Sequence, residues 1–178
     1  MRNKQKETFF DYPVFDNVKQ VIYYSIEKYA NNIAFKIKEK QENEVKYIDI
    51  TYKKFLEEVN NLGTGLFSLG LENKKIALLS KNRYEWALSY VSILLGGMIA
   101  VPLDKGLTDI EIENSLLRGN VDAIIYEEKY SDIIEKVKKE RKIKHKRIYM
   151  HGQKRKCKVL KRHIAKGKRE AWKWGQNL

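Results

Sequence analysis

The stretch Ile50–Asp104 limits the possible folds more than any other part of the chain. Tyr52, Phe55, Val59, Leu62, Leu66 and Leu69 recur at helical spacing behind Thr51, a capping residue, and Gly70 ends the pattern. Lys75–Leu79 then predicts a short buried strand, and Ser80–Asn82 leads into a helix over Tyr84–Leu95. Ile99–Leu103 predicts a second buried strand. The second helix and both strands are apolar almost throughout, which suits parallel strands covered on both faces. Helix, strand, helix and strand in this order build a parallel sheet with helices packed on it.

Trp86–Leu103 is 18 residues without a charge, at the lower edge of membrane-span length. Gly96 and Gly97 interrupt this run and Pro102 ends it, so it predicts a buried helix followed by a buried strand, with no membrane span.

The flanks extend the alternation. Asn17 is placed to cap a helix carrying Val18, Val21, Ile22, Ile26 and Tyr29. Ile33–Ile37 and Val45–Ile50 alternate as strands do, with a polar turn between them, and predict a hairpin. Thr108 followed by Glu111 is a capping box opening a helix through Leu116. Asp122–Tyr126 predicts the next strand, and Ser131 starts a helix through Ile133, Ile134 and Val137. The expected class is α/β: the first βα units of a doubly wound, mostly parallel sheet, followed by an irregular basic C-terminal tail.

Charge divides the chain unevenly. Residues 136–178 hold 18 Lys and Arg against two acids, Glu140 and Glu170, while the remainder holds 18 basic and 21 acidic residues. From Arg141 to Lys173 apolar positions are few and no period is sustained. Such a segment buries too little apolar surface to offset the entropy of ordering it, so disorder is expected. The expected organisation is a partial N-terminal subdomain over 1–138 and a basic tail over 139–178. Cys157 is the only cysteine, which points to a reducing compartment, and no apolar segment opens the chain as a secretory signal would. A cytoplasmic location is the expectation.

Three sets of residues resemble the AMP-forming acyl-CoA synthetases of the adenylate-forming superfamily. Thr51, Tyr52 and Phe55 match a segment opening an early helix. Asn82, Arg83, Glu85 and Trp86 match a helix start common in the long-chain branch. Gly96, Gly97, Pro102, Leu103 and Asp104 match a characteristic strand end. The resemblance covers about residues 35–138. It implies a long-chain fatty-acid–CoA ligase, a ligase of fatty-acid metabolism that uses ATP, Mg and CoA with a fatty acid. Packing accounts for the same residues: glycines for close helix contact, Arg83 and Glu85 as a pair at a helix start, and Pro102 at a strand end where its missing donor does little harm.

The family's chemistry needs a Ser/Thr/Gly-rich loop ending in Lys for the ATP phosphates. It also needs an aromatic adenine segment, an Asp for the ribose and a Lys on a mobile C-terminal domain. None is present, and neither G-x-x-x-x-G-K-[ST] nor G-x-G-x-x-G occurs. The expectation is an N-terminal fragment, inactive alone, with no catalytic, cofactor-binding or metal residue assignable. A second chain completing the enzyme is one alternative.

The tail admits other readings. Its cations with Trp172 and Trp174 suit non-specific polyanion or nucleic-acid binding. His145, His151, Cys157 and His163 recur at even intervals, but their spacing fits structural zinc sites only loosely. Cys157 lies between Lys156 and Lys158, which would favour its thiolate, yet no catalytic partner accompanies it. Finally, A-rich synonymous codons from Ile148 onward, read one base later, yield acids, a helical Val/Leu/Ile stripe and a Gly stop. This leads to the expectation of a frame change between Lys138 and Ile148 and an early stop after Leu178.

Overall fold

The structure is a computed structural model, and it describes residues 13–41, 44–141 and 146–150. Helix α1 spans Val18–Lys28, and the Asn17 side chain caps it by accepting from the Gln20 amide at 3.0 Å. Strands β1 (Ile33–Gln41) and β2 (Glu44–Thr51) form the expected antiparallel hairpin, with Phe35 opposite Ile50 and Ile37 opposite Ile48. Helix α2 spans Tyr52–Phe67 and is capped by Thr51, whose hydroxyl accepts from the Lys54 amide at 3.2 Å. It stops three residues short of Gly70. The Leu69 and Gly70 amides bond back to Leu66 and Phe67, and Gly70 turns the chain with φ +72.

Four strands make the main sheet: β3 (Lys75–Leu79), β4 (Ile99–Pro102), β5 (Ala123–Glu127) and β6 (Lys146–Met150). Their order is β4-β3-β5-β6, and every pairing is parallel. Helices α3 (Tyr84–Leu95), α4 (Asp109–Gly119) and α5 (Ser131–Arg141) connect them, with a 3-10 turn at Glu128–Tyr130 before α5.

Alternation along the strands feeds two cores, since successive side chains point to opposite faces. Ile76 and Leu78 of β3, with Ala123 and Ile125 of β5, pack against α2 and α3. Ala77, Leu79, Ile124 and Tyr126 pack against α4 and α5. The result is a three-layer α/β/α arrangement, as expected of a doubly wound sheet. On the first face α2 and α3 approach closely. A Cβ on Gly63 of α2 would sit 3.3 Å from the Ser92 carbonyl oxygen of α3, and one on Gly96 would sit 3.7 Å from the Gly63 Cα. The glycines at these positions therefore serve helix packing. Trp86–Leu103 forms α3 and β4, and among the described residues no helix is long and apolar enough to cross a membrane.

One part of the structure departs from expectation. The boundary expected between residues 138 and 139 falls inside α5, and the stretch expected to be irregular from Arg141 contains β6. A parallel edge strand requires mainly backbone pairing and β-prone residues. Ile148 and Tyr149 supply the latter. Residues 151–178, with His151, Cys157, His163, Trp172 and Trp174, lie outside the described residues, as does His145.

Candidate functional site at the carboxyl edge of the sheet

From β3 the chain passes through α3 to β4 on one side. It then returns through α4 on the other face to β5, on the opposite side of β3. The loops leaving β3 and β5 consequently diverge to opposite faces. The crevice beyond their carboxyl ends is where open α/β sheets bind ligands. Ser80, Lys81 and Arg83 follow β3, Asp104 and Lys105 follow β4, and Glu127 closes β5.

Ion pairs and hydrogen bonds hold this edge. Lys81 Nζ lies 3.3 Å from Glu127 Oε1, and the Glu127 side chain is only 9 % exposed. The Lys81 amide also approaches Glu127 Oε2 at 3.5 Å, so β3 and β5 are tied across the crevice. Arg83 clamps Glu85 through two bonds, Nε to Oε2 at 2.6 Å and Nη2 to Oε1 at 2.8 Å. Both side chains are partly buried, which gives this pair more weight than an open surface bridge. The Tyr84 hydroxyl donates to Glu58 at 3.0 Å. Burial holds the Tyr84 phenol well above its usual range, and the Glu58 charge pushes it further. The Tyr130 hydroxyl donates to the Lys105 carbonyl at 2.8 Å, joining the β4 and β5 loops. The hydrogen bond with Tyr130 raises the Lys129 ammonium, which lies 4.4 Å from that ring.

The residues carrying the family resemblance make contacts within the fold. Thr51 caps α2, while Tyr52 and Phe55 face α1 and the first core. Trp86 stacks on Tyr90 at 5.2 Å. Gly97 has φ +70, and Pro102 ends β4, after which the Leu103 amide bonds to Leu78 at 2.9 Å. Asp104 accepts from the Gly106 amide at 2.6 Å. Lys81, Tyr84 and Glu127 were not singled out from sequence. The available signal was their place within a few residues of the ends of two buried strands.

Among the described residues, charged side chains at this edge pair with one another, Lys81 with Glu127 and Arg83 with Glu85. The loops 80–83, 103–108 and 128–130 contain one glycine, Gly106, so they offer no glycine-rich phosphate cradle. Among the described residues no group of three or more His, Cys, Asp or Glu could hold a metal ion.

Several solved structures share the fold. The anthranilate CoA ligase AuaEII superposes with a TM-score of 0.68 at 20% identity, covering 87% of this chain and 29% of that one. The luciferase-like enzyme from the nonluminescent mealworm Zophobas morio gives 0.69 at 20% identity, with 86% and 36% covered. A long-chain-fatty-acid-CoA ligase from Archaeoglobus fulgidus gives 0.66 at 12% identity, with 83% and 29% covered. The chain thus spans about a third of the length of these structures. No curated protein sequence matches it significantly. The profile of the AMP-binding enzymes matches residues 23–173, further at both ends than the 35–138 expected from motifs. With most of its length matched, the chain belongs to the AMP-binding enzyme family.

Proposed function

We propose that this chain supplies the opening βα units of an ATP-dependent acid–CoA ligase. In that reaction a carboxylate attacks the α-phosphorus of ATP, forming an acyl-adenylate and releasing diphosphate. The CoA thiol then displaces AMP to give the thioester. The family match over residues 23–173 carries this reading. The helix start at Asn82, Arg83, Glu85 and Trp86 favours a long-chain fatty acid as the acid. ATP and Mg²⁺ would be held by residues outside this sequence, which has no phosphate-loop motif. The chain alone is therefore inactive, and the remaining motifs come from further ligase sequence, in the same polypeptide or in a second one.

Pyrophosphate exchange into ATP tests this. The 178-residue chain should give no exchange with palmitate. A polypeptide that adds the phosphate loop and the C-terminal lysine domain should give acid-dependent exchange. Exchange by the chain alone would refute the inactivity, and a completed polypeptide inert with fatty and aryl acids would refute the ligase reading.

Two properties of the tail accompany this proposal. The frame change expected between Lys138 and Ile148 is part of this reading. Gene sequence beyond the stop decides the matter: a Ser/Thr/Gly-rich loop ending in Lys should appear in another frame. The 18 cations of residues 136–178 favour weak, salt-sensitive polyanion binding. Heparin and random DNA should bind alike, and deleting residues 138–178 should abolish both. A preference of about a thousandfold for one DNA sequence would instead make nucleic-acid recognition the function.

A further inference from the structure

We infer that the outer face of α3 is an interface, and that its occupant is an apolar face of the further ligase sequence that carries the phosphate loop. The inference rests on the ligase reading. Helix α3 holds one charged residue, Glu85, and Arg83 clamps it. Leu88 and Ile93 lie on its buried face. The opposite side carries Trp86, Tyr90 and Leu94 at steps of four residues, with Ala87 beside them, and all four are only half-buried. Trp86 and Tyr90 stack with ring centroids 5.2 Å apart and planes 9° from parallel, which joins them into one aromatic surface.

A helix on the outside of a domain keeps a charged face for water, whereas one that is apolar all round belongs to the interior of a larger protein. The helices on the other face of the sheet follow the first pattern: α4 carries Glu113 and Arg118, and α5 carries Glu135 and Lys136. Helix α3 follows the second pattern, yet its outer residues keep part of their surface open. Two observations identify the cover. A partner for Trp86, Tyr90 and Leu94 must be uncharged, because a cation buried there would lose its hydration without compensation. The tail, with 18 cations against two acids over residues 136–178, does not meet that requirement. The ligases that share this fold are about three times as long, since this chain spans 29% of AuaEII and 29% of the Archaeoglobus fulgidus enzyme. Sequence of that extent supplies another apolar layer, and tryptophan and tyrosine are the side chains enriched where such layers meet.

Hydroxyl-radical footprinting read by mass spectrometry tests it, on the 178-residue chain and on the polypeptide that adds the phosphate loop and the C-terminal lysine domain. In the 178-residue chain Tyr90 should react at a rate between those of Tyr47, 63% exposed, and Tyr126, fully buried. In the longer polypeptide Tyr90 should fall to the Tyr126 rate, and Trp86 should lose reactivity with it. Tyr90→Lys should shift the melting temperature of the 178-residue chain by no more than about 2 °C, since the lysine head reaches water. It should lower that of the longer polypeptide by about 5 °C, because the same head is then buried. Trp86 and Tyr90 equally reactive in both polypeptides would overturn the proposal. So would Tyr90 at the Tyr126 rate in the 178-residue chain: a rate independent of protein concentration would mean cover by the chain itself, and a concentration-dependent one cover by a second copy. Protection in a longer polypeptide without pyrophosphate exchange would uphold the interface and refute the ligase reading alone. Exchange without protection would refute the interface alone.

Discussion

Strands β3 and β5 and the β1–β2 ribbon draw on the same β-prone residues yet occupy opposite environments. All five residues of β5 and four of the five in β3 are buried, whereas six of the eight residues of β2 are exposed. In the central strands, both alternating sets of side chains meet a helical layer. In the ribbon, only the end bearing Phe35 and Ile50 reaches the core, and Tyr47 remains 63% exposed. β-propensity thus does not determine burial; coverage by neighbouring layers does.

That contrast can be broken by substitution. Leu78→Ala, at a fully buried β3 position, should lower stability by about 3 kcal/mol. Tyr47→Ala on the ribbon should change it by no more than about 0.5 kcal/mol. Urea unfolding measures both, and equal losses would mean that the ribbon is packed as firmly as the sheet.

Gly63→Ala probes the close contact between α2 and α3. Its new methyl would sit 3.3 Å from the Ser92 carbonyl oxygen of α3, a backbone atom with little room to yield, so a loss of about 1–2 kcal/mol is expected. A neutral result would show that α2 and α3 can separate freely.

Ion pairs extend the comparison to charge. Lys81→Met leaves the buried Glu127 carboxylate without its cation and should cost about 1–2 kcal/mol. Lys54→Met removes the exposed partner of Glu57 and should cost under about 0.5 kcal/mol. Similar values for the two would remove the distinction between the crevice pair and a solvated one.

The smallest effect expected concerns the capping box of α4. The Thr108 amide and hydroxyl each donate to Glu111 at 2.8 Å and hold its carboxyl below the usual glutamate value. A depressed folded value means that this contribution is present above the ordinary glutamate pKa and is lost as pH falls through the folded one. Thr108→Ala removes the hydroxyl but keeps the amide, so NMR titration should find the Glu111 carboxyl moved only part of the way back. No movement would assign the shift to the backbone alone.

Most elements were legible in the sequence because their causes are local. Thr51 and Thr108 cap helices through bonds three residues away, and Gly70 and Gly97 reverse the chain with positive φ. The near-continuous apolar runs of β3 and β5 already implied two covered faces, and so the α/β class. Other features depend on distant parts of the chain meeting. The order β4-β3-β5-β6 fixes where the crevice lies. The Lys81–Glu127 contact joins residues 46 apart, and the groove under α1 forms only where that helix crosses the hairpin and α2. The strand at Lys146–Met150 escaped notice for the same reason: its charged sequence carries a weak local signal, and pairing with β5 makes it a strand. Helical period and capping act over a few residues and can be read in order along the chain. Strand order, crevice and groove arise from contacts across the fold, which only the tertiary structure specifies.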